Sequence, residues 1–197
     1  MNPSQEKSGD RIDLEQNDEL WREVIRQGHR VSLRIASESM LPTLRLGDRV
    51  IVQRYPLTRQ PRLGDIGLFH IHDRWIVHRI IGKAEREGQL FYRQKGDADN
   101  YSLLTAAEAV SGRVVEIERG SRQVVLEGWL QDMMMISLGS FFLVSDLLRR
   151  SVSSRWGAGT KQVSPSAWRA TASWLFGRLK TMLMLVYLGI MRLTARR

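Results

Sequence analysis

Ala36-Ser37-Glu38-Ser39-Met40-Leu41-Pro42-Thr43-Leu44, continued by Arg45-Leu46-Gly47-Asp48-Arg49-Val50-Ile51-Val52, sets a serine and a Pro-Thr pair directly ahead of a Gly-Asp turn and an apolar run. Pro42 sets its own φ and pushes Leu41 towards extended backbone, so Ser39 and Met40 lie in a stiff, non-helical segment. Gly47-Asp48 punctuates the chain, and Arg49 to Val52 then reads as a strand rich in β-branched residues. A serine on a stiff connection beside a sheet can present its hydroxyl to an extended peptide. The plainer reading is a Ser/Pro/Thr turn between two strands, for which these residue types are equally suited.

Outward from this stretch the period is that of β-structure. Val31 to Ile35 alternates and Val50 to Gln53 is apolar. Two runs, Ile66 to Ile71 and Trp75 to Ile81, flank His72 and Asp73. Phe91 to Gln94 and Gly112 to Glu118 follow, and Val124 to Leu126 makes a last short strand. Short apolar runs broken by Gly, Asp, Asn and Pro predict a mainly β, antiparallel domain, with Asp73-Arg74 as one hairpin turn. Ala106 to Ala109 predicts a single helical turn. Ahead of the strands, residues 1–17 are polar and charged and predict no fixed structure. Asn17-Asp18-Glu19 then caps an amphipathic helix over 18–27 carrying Leu20, Trp21, Val24 and Ile25, ended by Gly28. The β domain therefore spans 18–127.

Beyond it the composition changes. Residues 128–150 predict an apolar helix around Met133 to Val144, twelve uncharged residues between Asp132 and Asp146. Twelve is short for a bilayer crossing, and carboxylates are costly inside one. Residues 151–166 are Ser- and Gly-rich and predict a linker. Residues 167–197 predict a basic amphipathic helix with Trp168, Ala172, Leu175, Leu179, Met182, Val186 and Ile190 in one stripe.

Charge separates the same two halves. Of 30 Lys and Arg, ten fall in residues 149–197 together with no Asp or Glu, which leaves 20 basic against 21 acidic residues in the first 148. An anionic partner for the tail follows. Trp156, Trp168 and Trp174 beside those charges favour a membrane surface, because indole suits the head-group region while Lys and Arg reach anionic lipid. Nucleic acid would use the same charges but leaves the apolar stripe without a place, and packing of both helices on the β domain or on a partner protein is the plain alternative. The expectation is a membrane-associated chain, on a side of the membrane that the residues do not specify. With no cysteine there is neither a disulfide framework nor a thiolate nucleophile. The first residues lack the apolar core of a signal peptide.

Three boxes carry a family resemblance. Ser39 to Val52 (SMLPTLRLGDRVIV) resembles the nucleophile box of the type I signal peptidase superfamily, which includes the LexA-type self-cleaving repressors. Gly64 to Phe69 with Trp75 to Gly82 resembles the second box, and His78 stands where most bacterial members have lysine. That histidine is similar to the archaeal, endoplasmic-reticulum and sporulation-type branch, as is the third box, Lys95-Gly96-Asp97-Ala98-Asp99-Asn100. Gly112-Arg113-Val114-Val115 matches the closing strand, so the likeness covers about Val31 to Ile117. Some 30 residues before the serine box are too few for a helix-turn-helix domain, which separates the chain from the repressors. The chain also departs from the family in having no apolar helix before the box.

The resemblance implies a serine endopeptidase that cleaves signal or leader peptides after small residues. It implies Ser39 as nucleophile, His78 as base and Asp97 as the carboxylate that orients the imidazole, with Asp99 the substitute. The Ser39 N–H and Ser37 are the implied oxyanion donors. No cofactor is implied. A non-catalytic peptide-binding or accessory relative, and a maturation peptidase for one local substrate, are the alternatives. If Asp97 pairs with the imidazolium, the ionisation of His78 should lie at or above its ordinary value near 6.5. Lys83 and Lys95 are the alternative bases. His70 and His72, alternating on one strand, make a minimal pair of metal ligands, but nothing nearby completes a set, so no metal is expected.

Overall fold

The computed structural model describes residues 18–156 and 177–190 of the chain. Its centre is one curled antiparallel sheet of eight strands: β1 (Val31–Arg34), β2 (Arg49–Gln53), β3 (Ile66–Ile71), β4 (Arg74–Arg86), β5 (Gln89–Lys95), β6 (Leu103–Ala106), β7 (Val110–Arg119) and β8 (Arg122–Val125). The spatial order is β1-β2-β7-β3-β4-β5-β6, and β8 adds to β7. The mainly β architecture read from the alternation is the one observed. β6 was not expected, and the helical turn foreseen beside it is a 3-10 turn at Ala107–Ala109.

Tight turns set the register. β3 and β4 pair from Ile66↔Arg79 to Ile71↔Arg74, leaving His72 (φ 47°) and Asp73 (φ 57°) as the loop. Positive φ at both positions is that of a type I′ turn, whose twist matches the flanking strands. The turn is thus one residue earlier than expected, and it removes His72 from the strand. His70 remains in β3, where Arg22 of the N-terminal helix reaches its Nδ1 and Trp75 meets its ring edge-on. The two histidines therefore do not share a strand face. No group of three or more His, Cys, Asp or Glu placed to hold a metal occurs among the described residues.

Helix α1 (Asp18–Arg26) buries Ile25 against the sheet, with Trp21 and Val24 partly covered. The main core lies between one face of the sheet and the helices: Val31, Val50, Val52, Leu68, Ile81 and Val114 meet Met135, Leu138 and Phe142 of helix α2 (Trp129–Trp156) and Met184 and Tyr187 of a helix over 177–190. A smaller cluster of Phe69, Ile80 and Tyr92 closes another part of the sheet. The apolar helix expected over 128–150 thus continues to Trp156, into the expected linker. Residues 1–17, the rest of that linker, and residues 167–176 and 191–197 of the basic tail lie outside the described residues.

α2 packs closely against the loop that leads into β3. A Cβ on Gly64 would come 2.0 Å from the Met135 carbonyl oxygen, and one on Gly139 would come 2.6 Å from the Gly64 nitrogen. Two glycines thus face each other where the β2–β3 loop meets the helix. Asp146, the carboxylate inside the apolar half of α2, is turned inward to Ser102 (3.0 Å) and Arg93 (3.6 Å). The opposite face of α2 exposes Met133, Ile136, Val144, Leu147 and Leu148. By length and composition Gln131–Leu148 could cross a membrane, and a third of it is buried in the fold. The 177–190 helix likewise exposes Leu179, Met182, Leu185 and Val186. The expected stripe through Leu179, Met182 and Val186 is therefore its outer face, and Met184 and Tyr187 form the face against the core.

Candidate active site

The serine segment is tied down at three points. At its end, Asp48 caps the turn by accepting the Arg45 N–H (2.8 Å) and holds Arg119 of β7, whose guanidinium also donates to the Thr43 carbonyl (3.0 Å). The backbone closes through Ile35 N–H to Asp48 (2.8 Å) and Gly47 N–H to Ile35 (2.9 Å). At its centre, the Thr43 hydroxyl donates to Asp97 (2.6 Å), and the Ala98 N–H donates to the Ser39 carbonyl (2.8 Å). The Leu41–Pro42 peptide is cis. Gly96 has to be glycine: a Cβ there would come 2.6 Å from the Ser39 carbonyl and 2.4 Å from an Asp99 oxygen.

Across this segment runs β4, which carries His78. Its Nε2 lies 3.2 Å from Ser39 Oγ, so the nucleophile and base expected from the sequence, 39 residues apart, are brought within hydrogen-bond reach. Ser37, exposed, places its hydroxyl 3.2 Å from the same Ser39 Oγ. The other ring nitrogen, Nδ1, meets Gln94 Oε1 of β5 at 2.5 Å, and the Gln94 amide donates to Thr105 Oγ1 of β6 at 3.1 Å. Gln94 and His78 are both buried.

The carboxylates are arranged otherwise than expected. Asp97 faces away from the imidazole and forms a fully buried, two-point pair with Arg79 (Nε to Oδ1 2.7 Å, Nη2 to Oδ2 2.6 Å). Arg79 also donates to the Gly64 carbonyl (2.9 Å). Burial opposes the charge on Arg79, but the Asp97 carboxylate outweighs it and lifts the guanidinium above its ordinary value. Tyr187, whose phenol burial pushes up to about 12, lies beside this pair. The expected contact between Asp97 and the ring is thus replaced by Gln94, because neighbouring strand residues point to opposite faces and Arg79 takes Asp97 to the core side. Asp99 comes 3.7 Å from Nε2, the nitrogen that faces Ser39, and so does not hold Nδ1.

Burial is the largest influence on His78 and lowers its pKa, while Gln94, Asp99 and Asp97 pull the other way and Lys95 adds to the lowering. The expected value at or above 6.5 is corrected to one below it. The cause is visible in the geometry: the group on Nδ1 is a neutral amide, and the nearest fully buried carboxylate is engaged by arginine. Of the two lysines, Lys83 is exposed on β4, and Lys95 donates to the carbonyls of Gly96 and Asp99 with its ammonium 4.5 Å from the Phe142 ring centre. Neither arrangement leaves a bare amine aimed at Ser39.

Gln94 is the site residue that sequence reading missed. Its signal was an uncharged polar residue ending an apolar alternation, two positions before Gly96, and that became interpretable only with the register Ile80↔Gln94. No protein-family model matches the chain, and no curated protein matches it in sequence.

Proposed function

We propose that the protein is a membrane-associated serine endopeptidase of the signal peptidase type, acting on extended peptides. The observation that carries this reading is the 3.2 Å approach of His78 Nε2 to Ser39 Oγ on a segment pinned by buried polar contacts. A serine alcohol is a weak nucleophile without a base, and a neutral, desolvated imidazole is a suitable one near pH 7.

In the proposed reaction, His78 Nε2 takes the Ser39 proton as Oγ attacks the scissile carbonyl. Ser37, beside Oγ, can turn its hydroxyl to donate to the oxyanion that forms. Collapse of that intermediate breaks the C–N bond, and the proton on Nε2 passes to the leaving amine. Water then attacks the acyl-enzyme with its proton going to His78, releasing a carboxylate product and restoring Ser39. Asp99, 3.7 Å from Nε2, is placed to stabilise the imidazolium between these steps.

Membrane association is supported by the outer faces of α2 and the 177–190 helix. Apolar side chains stand outward on both, and Asp146 is turned inward. The basic excess of residues 149–197 complements anionic lipid. Incubation with a panel of synthetic peptides bearing small residues before an uncharged cleavage point tests the activity. Cleavage by the wild-type chain and none by a folded Ser39→Ala variant is expected; equal cleavage by both removes Ser39 from the mechanism.

A further inference from the structure

We propose that Gln94 is the positioning residue of the dyad, a neutral amide that fixes His78 as the Nδ1–H tautomer and so leaves Nε2 bare to accept the Ser39 proton. The proposal rests on the reading of Ser39 and His78 as nucleophile and base.

Strand geometry makes the contact possible. With Arg79↔Lys95 and Ile80↔Gln94 in register, His78 and Gln94 are diagonal neighbours on one face of β4 and β5, within reach for long side chains. The orientation of the amide and the tautomer of the ring are a single choice. With Oε1 towards the ring and Nε2 donating to Thr105 Oγ1, Nδ1 must carry the hydrogen. The reverse amide would put an N–H against Nδ1, move the ring hydrogen to Nε2 and leave no lone pair for the serine.

A second group makes this choice consequential. Asp99, 3.7 Å from Nε2, by itself favours a hydrogen on the nitrogen that must be bare. Asp97, just after β5, and Lys95, at its end, act on the ring with opposite signs. The short contact to Gln94 is what sets the tautomer against Asp99. A carboxylate in its place would also hold Nδ1–H but would stabilise the imidazolium; the amide orients without adding charge, in keeping with the lowered pKa of His78.

Side-chain ¹⁵N NMR of His78 in the full-length chain, paired with the pH dependence of p-nitrophenyl acetate hydrolysis, tests the assignment. The wild type should show Nδ1–H at neutral pH. Gln94→Glu should move the His78 titration midpoint, and the acid limb of hydrolysis with it, upward by about one unit or more. Gln94→Ala should lose the single tautomer and lower kcat by about 10²-fold, with KM little changed. Thr105→Val, which frees the amide, should move in the same direction by less, and it carries the test with Gln94→Glu if Gln94→Ala does not fold. An Nε2–H tautomer in the wild type, or an unmoved titration in folded Gln94→Glu, overturns the proposal. If the tautomer responds as stated while Ser39→Ala hydrolyses the ester as fast as wild type, the positioning of His78 stands and the peptidase reading fails.

Discussion

Arg79→Met should bring the protein close to unfolding, and the reason lies in what the guanidinium leaves behind. Arg79 and Asp97 are both fully buried and share two hydrogen bonds of 2.7 and 2.6 Å. Removing the cation leaves the Asp97 carboxylate in the core with the Thr43 hydroxyl (2.6 Å) as its remaining side-chain donor. The Gly64 carbonyl loses its donor as well. Breaking one partner of such a pair costs about 3–5 kcal/mol, because the remaining charge is desolvated and unpaired. A domain has about 5–15 kcal/mol in all, so this is about a fifth of its stability or more, and nearly all of it in a marginal domain. Replacing both partners, Arg79→Met with Asp97→Leu, removes the stranded charge and should recover most of the loss. Equilibrium denaturation of the three proteins, followed by tryptophan fluorescence, reads the difference. A folded Arg79→Met chain that loses less than about 1 kcal/mol would refute the reasoning, and so would a double variant less stable than the single one.

The remaining expectations are more local. Because burial lowers the pKa of His78, kcat/KM should fall as pH drops below 6.5, and a plot from pH 4.5 to 8 locates the limb. Folded His78 also binds a proton less readily than the unfolded chain, so its contribution to stability is complete above about 6.5 and declines as pH falls below it, as denaturation midpoints against pH should show. His78→Ala should abolish ester hydrolysis, while Lys83→Ala, on an exposed side chain, should leave kcat within a factor of about two. Gly64→Ala, at φ 94° and with the Met135 carbonyl 2.0 Å from the new Cβ, should lower stability by about 2–3 kcal/mol, measured as a fall in Tm, since α2 must shift to admit it. Met182→Glu with Leu185→Glu should weaken flotation on anionic vesicles without changing Tm, because both side chains point outward; undiminished flotation at high salt would show that this face does not meet lipid.

The strands were legible because their alternation is bounded by residues that can turn the chain through positive φ without steric cost, as Gly47, Gly88 and Gly120 do. β6 was not, since Leu103 to Ala106 is four residues long and joins the sheet through backbone pairing with β5 rather than through a patterned face. The stripe of the last helix was visible in its spacing. A helix with two apolar faces, however, does not announce which one meets a core, and here Tyr187 and Met184 are the side chains that meet it, beside Arg79 and Thr43. At the site, Ser39 and His78 could be read from local motifs. Asp97 could not be assigned correctly, because its partner is decided by the side to which Arg79 points, and Gln94 acquires its neighbour only when β5 pairs with β4.

The central claim, that Ser39 is a nucleophile activated by His78, is tested most directly by covalent trapping. The full-length chain would be treated with p-nitrophenyl acetate, quenched in acid, and the acylated residue mapped by mass spectrometry at several pH values. One acetyl group is expected on Ser39, formed with release of one p-nitrophenolate, at a rate that rises with pH through an ionisation below 6.5 and vanishes in His78→Ala. Acylation spread over surface lysines, or on Ser39 at a rate that His78→Ala does not change, would contradict it.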